Sequence, residues 1–571
     1  MKKRIPLLTS HFASLVEGNG YFVDKTGFIP KLESLNFPNL FFLRPRRFGK
    51  SLTLSMLEHY YGIQYKERFE GLFGQYFIGK PENTTPLRNS YYILKFNFSG
   101  IRTDEPDRIL EHFSVEVRNA VDVFLRIYRI LPESERKEVF ALPEANSILH
   151  SFLSRVQSVD PNLKIYLLID EYDHFTNELF SFNPDHFKEI VSRNGWVRKF
   201  YEVIKQFMGE GIIDRFFATG VTPVTLDSMT SGFNVAQNLT LDNKFHNMAG
   251  FTEAELRGMI ENTIYEEGRF DINSVITDMR AWYNGSKFSV ESQERLYNPQ
   301  MVITFLSNFS RNFTYPREMA DINVTSDYKK ISNILAPLSH EESEEIISTV
   351  LETVRFTERL TIQYNFELPY TKTEAVSLLF YNGLLTIEGE RFQFFDFVIP
   401  NYVIKQMYWE YFRYLFESRH KIQYESMPMR ESLIEMSESG KIDRLVAYVH
   451  TILKNLSNRD LQKFSEKNIK MIFMTLLMGN NAYFVKSEHE NNEGYADLLL
   501  IPTKLNPGTD NFLLELKYLK KSNKETLEAE KEKAIEQVRK YKSDLESEGI
   551  VCKTYAVVFV GKSDFVVEEV E

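Results

Sequence analysis

Residues 44–51 read Arg-Pro-Arg-Arg-Phe-Gly-Lys-Ser. A Gly-Lys-Ser triplet that closes a tight loop and opens a helix suits a polyphosphate, because loop N–H groups and the helix N-terminus both face the anion. Lys50 would reach the β- and γ-phosphates of ATP, Ser51 would ligate Mg²⁺, and Gly49 would let the backbone approach closely. Arg46, Arg47, Phe48 and Leu52 complete the candidate nucleotide-contacting set. Arg46 and Arg47 would either touch phosphates or ion-pair with nearby acids. The usual first glycine is replaced by Arg44, so the eight residues alone also fit a plain strand-to-helix turn. Residues 165–171 read Ile-Tyr-Leu-Leu-Ile-Asp-Glu. An acid pair ending a buried strand would let Asp170 hold Mg²⁺ and Glu171 orient or activate a water. Thr219 is the candidate polar sensor of the γ-phosphate; the other reading is a Thr that only caps a strand. Near the C-terminus, Asp497 precedes Glu515-Leu516-Lys517 by eighteen residues. Glu515 and Lys517 share one face of a strand. Asp497 and Glu515 offer oxygens to Mg²⁺ or Mn²⁺, and Lys517 could orient a water or stabilise phosphoryl charge. Glu488 and Gln537 could join them. The alternative is an edge strand with one wet face.

These residues need strands and helices to hold them. Short apolar, aromatic-rich runs at 39–43, 91–98, 164–169 and 214–218 alternate with helical patterns, which predicts buried parallel strands of an α/β sheet. From Thr252-Glu253-Ala254-Glu255, a capping box, the pattern turns helical. A hairpin is expected across Leu384–Phe395, turning at Glu388–Arg391. The last stretch predicts strands at 482–485, 495–501, 511–518 and 554–560. A charged helix over 524–548 would carry Ile535, Val538, Tyr541 and Leu545 on one apolar face. The expected organisation is a P-loop ATPase-like domain over 1–250, a helical lid or linker over 251–350, a mixed, winged-helix-like region over 351–420, and a nuclease-like α/β domain over 421–571.

Composition narrows the class. The chain has 571 residues, 43% hydrophobic and 14% aromatic, enough for several packed cores. A net charge of −11 gives no general affinity for nucleic acid, although a local basic groove is compatible with it. Cys552 is the only cysteine, which excludes an internal disulfide and a cysteine-rich zinc site. No signal-peptide or membrane-spanning run is expected, so the reading is of a cytoplasmic protein without a membrane partner. The sequence has no H-E-x-x-H or G-x-S-x-G, so a zinc protease or an elbow-type hydrolase lacks support.

The combination resembles a bacterial family of AAA-ATPase-like proteins with a C-terminal PD-(D/E)XK nuclease-like domain. The resemblance lies in Tyr21–Thr26, in Arg44–Ser51 with Arg in the family's own loop form, in Thr219-Gly220-Val221, and in Gly250–Glu253. It continues through Trp282–Gly285, Tyr297-Asn298-Pro299, Gly383–Thr386 and Ile399-Pro400-Asn401. At the C-terminus it rests on Ser487-Glu488, Gly494–Asp497, Glu515-Leu516-Lys517 and Gln537. The family often has Arg where Tyr495 stands, beside the acid rather than on it. The resemblance implies a signal-transducing (STAND-like) AAA parallel sheet, a helical middle and a restriction-endonuclease-like C-terminal domain. The expected function is ATP binding and hydrolysis coupled to metal-dependent cleavage of nucleic acid, in a monomer or an oligomer. The alternative is a regulatory ATPase whose C-terminal domain binds nucleic acid or a partner without cutting.

Overall fold

The computed structural model describes residues 2–6, 8–105, 108–182, 187, 189–190, 195–224, 236–319, 328–352, 355–364, 369–420, 424–457, 464–491, 494–506, 508, 510–520 and 524–571. Two compact units are present: Met1–Thr314 with Lys330–Ile404, and Tyr315–Lys329 with Lys405–Glu571.

The first unit is built on a parallel sheet of β1 (Asn39–Leu43), β2 (Tyr92–Asn97), β3 (Ile165–Asp170), β4 (Ile213–Gly220) and β5 (Gln237–Asn238), in the order β2-β3-β4-β1-β5. Every residue of β1 and β3 is buried. Continuous apolar runs rather than alternating ones are what a sheet covered on both faces requires. The abundant aromatics fill this core; Phe98, Phe113, Phe175 and Phe200, for example, pack edge to face and tilted. Strand β5 was not predicted, because two polar residues, Gln237 and Asn238, carry no hydrophobic signal. The register pairs Leu43 with Gly220, Ile169 with Ala218 and Asn97 with Asp170. The carboxyl ends of β1, β4 and β3 therefore open at one edge, where open α/β sheets bind ligands.

Farther along the unit, the Thr252 capping box opens the helix Glu253–Thr263 as predicted, and β6 (Asn284–Ser286) pairs antiparallel with β7 (Leu296–Tyr297). The hairpin also forms, from β9 (Thr386–Arg391) and β10 (Phe394–Val398), with β8 (Phe356–Arg359) pairing on the other side of β10. Its turn lies at Phe392–Gln393, not at Glu388–Arg391. Both turn residues adopt left-handed φ, 52° and 66°, which matches the twist of the flanking strands in a two-residue loop. Gly389 pairs inside the ladder with Asp396.

The second unit holds a five-stranded mixed sheet, β11 (Tyr483–Asn491), β12 (Gly494–Pro502), β13 (Asn511–Leu519), β14 (Cys552–Val560) and β15 (Asp564–Glu569), paired in that order. The first three strands are antiparallel; β13 and β14 are parallel and joined by the helix Lys524–Ser547. Val538, Tyr541 and Leu545 on that helix are buried as read from the sequence, whereas Ile535 is only partly buried and its neighbour Ala534 takes the buried place. Strand β15 is an addition to the prediction. No helix among the described residues is long and apolar enough to cross a membrane.

Candidate functional site

Arg44 begins the loop after β1, and its side chain is 1% exposed. Its guanidinium donates to the carbonyls of Leu43 (2.8 Å), Thr240 (2.9 Å), Phe245 (3.1 Å) and His246 (3.1 Å). It lies between the rings of Phe42 and Phe288, 4.4 and 4.2 Å from their centres. Burial pushes its pKa down to about 9. Arg44 thus pins the loop from behind. The bend itself is made by Arg47 and Gly49, at φ +70° and +93°. Among the described residues, nothing beyond its two chain neighbours lies within 4 Å of where a Cβ on Gly49 would sit, which leaves an open cradle of the kind a phosphate needs.

Lys50 opens the helix Lys50–Tyr61 and is buried. Its ammonium donates to the carbonyls of Arg44 and Pro45 at 2.9 and 3.0 Å. Burial lowers its pKa to about 8, against the opposing pull of Asp170, Glu171 and Asp173. Arg47, Phe48, Gly49, Lys50, Ser51 and Leu52 all line one cavity of about 1110 Å³, counting its open mouth, and Glu171 lines it too. Its apolar wall includes Phe22, Val23, Met248, Phe251 and Ile303. Arg47 Nη1 is buried and, among the described residues, has no hydrogen-bond partner. Arg46 instead reaches His174 Nδ1 at 3.3 Å, and that ring nitrogen lies 3.6 Å from Glu171 Oε2.

Asp170 ends β3 and is buried; Thr219 on the adjacent β4 donates its hydroxyl to Asp170 Oδ1 at 2.7 Å. Glu171 turns away at φ +51°, a left-handed conformation that costs a non-glycine residue energy and often marks a functional site. Asp173, 1% exposed, was not singled out in the sequence. Its carboxylate accepts the N–H of Val221 (3.1 Å), the N–H of Thr222 (2.6 Å) and the Thr222 hydroxyl (3.1 Å). It thereby clamps the end of β4 to the end of β3. A Cβ on Gly220 would sit 2.4 Å from Asp173 Oδ1, so the clamp explains the glycine after Thr219.

The motifs downstream of the sheet converge on the loop. Gly250 N–H donates to the Phe48 carbonyl at 3.0 Å. The Phe48 ring meets Phe288 edge-on at 5.5 Å. Asn298 caps its own helix through Gln300 N–H (3.0 Å) and donates to the Arg46 carbonyl at 3.4 Å. Gly383 packs so tightly on Pro45 that a Cβ would lie 2.8 Å from the proline ring.

In the second unit, Asp497 on β12 accepts the N–H of Leu516 on β13 through Oδ2 at 2.9 Å. Glu515 is 3% exposed, with Oε1 held by Lys517 at 2.8 Å. Its Oε2 is buried and, among the described residues, has no hydrogen-bond partner. Burial first, and then the Asp497 charge, push the Glu515 pKa up to about 7. Lys517 also reaches Glu466 at 3.2 Å, and Lys470 Nζ lies 4.0 Å from Asp497 Oδ1. Glu466 and Lys470 sit one turn apart on the helix Glu466–Met478 and were not read from the sequence; two polar residues at the start of a helix give no hint of what they face. Glu488 lies on β11, and its side chain falls outside the described residues. Gln537 lies on the helix Lys524–Ser547 one turn before Tyr541, whose hydroxyl feels the charges of Glu515 and Asp497. Among the described residues no three acidic, His or Cys side chains form a ready metal cage. Two carboxylates, one of them with the unsatisfied Glu515 Oε2, still fit Mg²⁺, which keeps several waters and often takes only one or two protein carboxylates beside substrate phosphate.

Comparison with known proteins agrees with this geometry. Residues 6–230 match the family described as "Predicted AAA-ATPase", and residues 464–569 match the PD-(D/E)XK nuclease superfamily. The chain therefore carries an AAA-ATPase-like region and, towards its C-terminus, a region that matches the PD-(D/E)XK nuclease superfamily. A curated relative, "Uncharacterized protein in vnfD 5'region" of Azotobacter chroococcum mcd 1, is 26% identical over 300 residues, which is 52% of this chain and 51% of the relative. The chain thus spans about half the length of that relative.

Proposed function

We propose that this protein binds and hydrolyses ATP at the loop 44–52 and cleaves nucleic acid at Asp497, Glu515 and Lys517, with nucleotide state governing cleavage. One observation carries the reading: each unit gathers its own set of phosphate-directed groups, Lys50 with the Thr219–Asp170 pair in one and Asp497 with the half-satisfied Glu515 in the other. In the first unit Lys50 exchanges its loop carbonyls for phosphate oxygens. Ser51 and Asp170 would hold Mg²⁺, Thr219 fixes the Asp170 carboxylate, and Glu171 orients the attacking water. In the second unit Asp497 and Glu515 would hold Mg²⁺ or Mn²⁺, which supplies Lewis-acid stabilisation of phosphoryl charge when bound. Lys517 positions a water or the charged phosphoryl oxygen there.

The test incubates the full chain with plasmid, single-stranded DNA and RNA, with Mg²⁺ or Mn²⁺, with and without ATP. Asp497→Ala should abolish cleavage, and Lys50→Ala should change its response to ATP. Cleavage that survives Asp497→Ala would remove the site assignment. The internal ion pairs of Lys517 with Glu515 and Glu466 favour a second reading, a domain whose charges are satisfied for binding alone. ATP hydrolysis with strand binding and no cleavage under either metal would select it.

A further inference from the structure

Three lysines of the second unit act on one another, one of them beside Asp497, and take no part in the reading above. Lys470, on the helix Glu466–Met478, is the one 4.0 Å from Asp497. Lys486 lies on β11, exposed. Lys405 lies near the start of the helix Tyr402–His420. Among the described residues its ammonium makes one hydrogen bond, a long one of 3.4 Å to the carbonyl of Val485. Burial holds its pKa down to about 8, and the charges of Lys470 and Lys486 push the same way; among the described residues no carboxylate opposes them. Its position is fixed by its neighbour instead: Gln406 Nε2 donates to the Met478 carbonyl (3.2 Å) and to Asn481 Oδ1 (3.0 Å).

An ammonium withdrawn from water costs several kcal/mol unless it is paired, and two like charges nearby add to that cost. A methionine would fill the same space at lower cost, so the fold alone does not account for the lysine. An anion lodged among the three would. We propose that Lys405, Lys470 and Lys486 form a phosphate cradle that holds the backbone of a nucleic-acid strand, at a phosphate neighbouring the one addressed by Asp497 and Glu515. The choice of a strand over a free phosphate rests on the nuclease reading; the cradle rests on the lysines. It also reconciles an acidic chain with a nucleic-acid partner, because the positive charge is concentrated at the site.

The test is fluorescence anisotropy of the full chain with a short labelled single strand and its duplex, in EDTA, across a salt series. Each lysine–phosphate contact contributes about 0.7–0.9 to the slope of log affinity against log salt. Lys405→Met with Lys486→Met should therefore make the slope shallower by about 1.4–1.8, so that between about 50 and 200 mM salt the wild type loses about tenfold more affinity than the variant. The double variant should melt no lower than the wild type, since an unpaired buried charge is gone. Lys486→Met alone, an exposed change, should still remove about 0.7–0.9 of slope and keeps the test valid if the double variant folds poorly. Unchanged slope and affinity in these variants would overturn the cradle, even if Asp497→Ala abolishes cleavage. Lysine-dependent binding without cleavage under Mg²⁺ or Mn²⁺ would overturn the nuclease reading and keep the cradle. A melting temperature raised by inorganic pyrophosphate in the wild type and not in the double variant, with equal strand binding in both, would assign a free anion and overturn the strand.

Discussion

Replacing Arg44 with glycine would restore the usual first residue of a phosphate-binding loop, and it should damage this one. The guanidinium satisfies four buried carbonyls and is sandwiched by two aromatic rings. Each carbonyl left without a donor costs about 1–3 kcal/mol, and the lost ring contacts add about 0.5–2 kcal/mol. Against this, the charge no longer has to be desolvated, and water enters the space left by the side chain. Losing one partner of a buried charged network typically leaves a net cost of about 3–5 kcal/mol, which in a unit of this size lowers the melting temperature by roughly 4–6 °C. Arg44→Lys should lose nearly as much, because a point charge cannot reach four acceptors. Thermal unfolding of the full chain, with and without Mg-ATP, reads both effects. A double-mutant cycle with Phe288→Leu should return a coupling of about 1 kcal/mol. An Arg44→Gly protein that melts within about 2 °C of the wild type and is still stabilised by Mg-ATP would refute the claim that this side chain holds the loop.

Thr219→Val removes the hydrogen bond to Asp170 and should slow ATP hydrolysis by about tenfold, or ~1.4 kcal/mol, while ATP still raises the melting temperature; steady-state phosphate release checks it. Asp173→Ala leaves the N–H groups of Val221 and Thr222 unpaired and should cost about 3 kcal/mol of stability in denaturant unfolding. Glu515 titrates near pH 7 in the fold, above its ordinary value of 4.5. The stability it contributes is therefore complete below about pH 4.5 and is lost as pH rises through about 7. In EDTA the melting temperature should fall over that window, and Glu515→Gln should flatten the fall. Metal-dependent cleavage should rise over the same window, because metal needs the ionised carboxylate.

What could be read from the sequence was local. The runs NLFFL and IYLLID announce buried strands within their own five or six residues, and Gly49-Lys50-Ser51 carries its chemistry in adjacent positions. The two polar residues of β5 carry no such signal; only pairing with β1 makes them a strand. Asp173 is silent for another reason: its partners Val221 and Thr222 lie nearly fifty residues away, and nothing in Tyr172-Asp173-His174 shows that a second strand end will arrive there. Lys405 is an ordinary helix residue until β11 and the helix Glu466–Met478 enclose it. The hairpin turn slipped because Gly389 is the obvious turn residue, whereas the ladder closes on Phe392 and Gln393.

The backing of the phosphate loop bears on how this protein can be cut into pieces. The stretch matched by the ATPase family ends at residue 230, and an expression fragment drawn there would keep Lys50, Asp170, Glu171 and Thr219. It would leave out the carbonyls of Thr240, Phe245 and His246, the Gly250 N–H, Phe288, Asn298 and Gly383. Arg44 would then be a solvated cation on a frayed loop, and Phe48 a sticky surface patch. A truncation that kept the whole signature and lost activity would say nothing against the chemistry. The smallest piece worth purifying runs to about residue 404, where the compact unit closes.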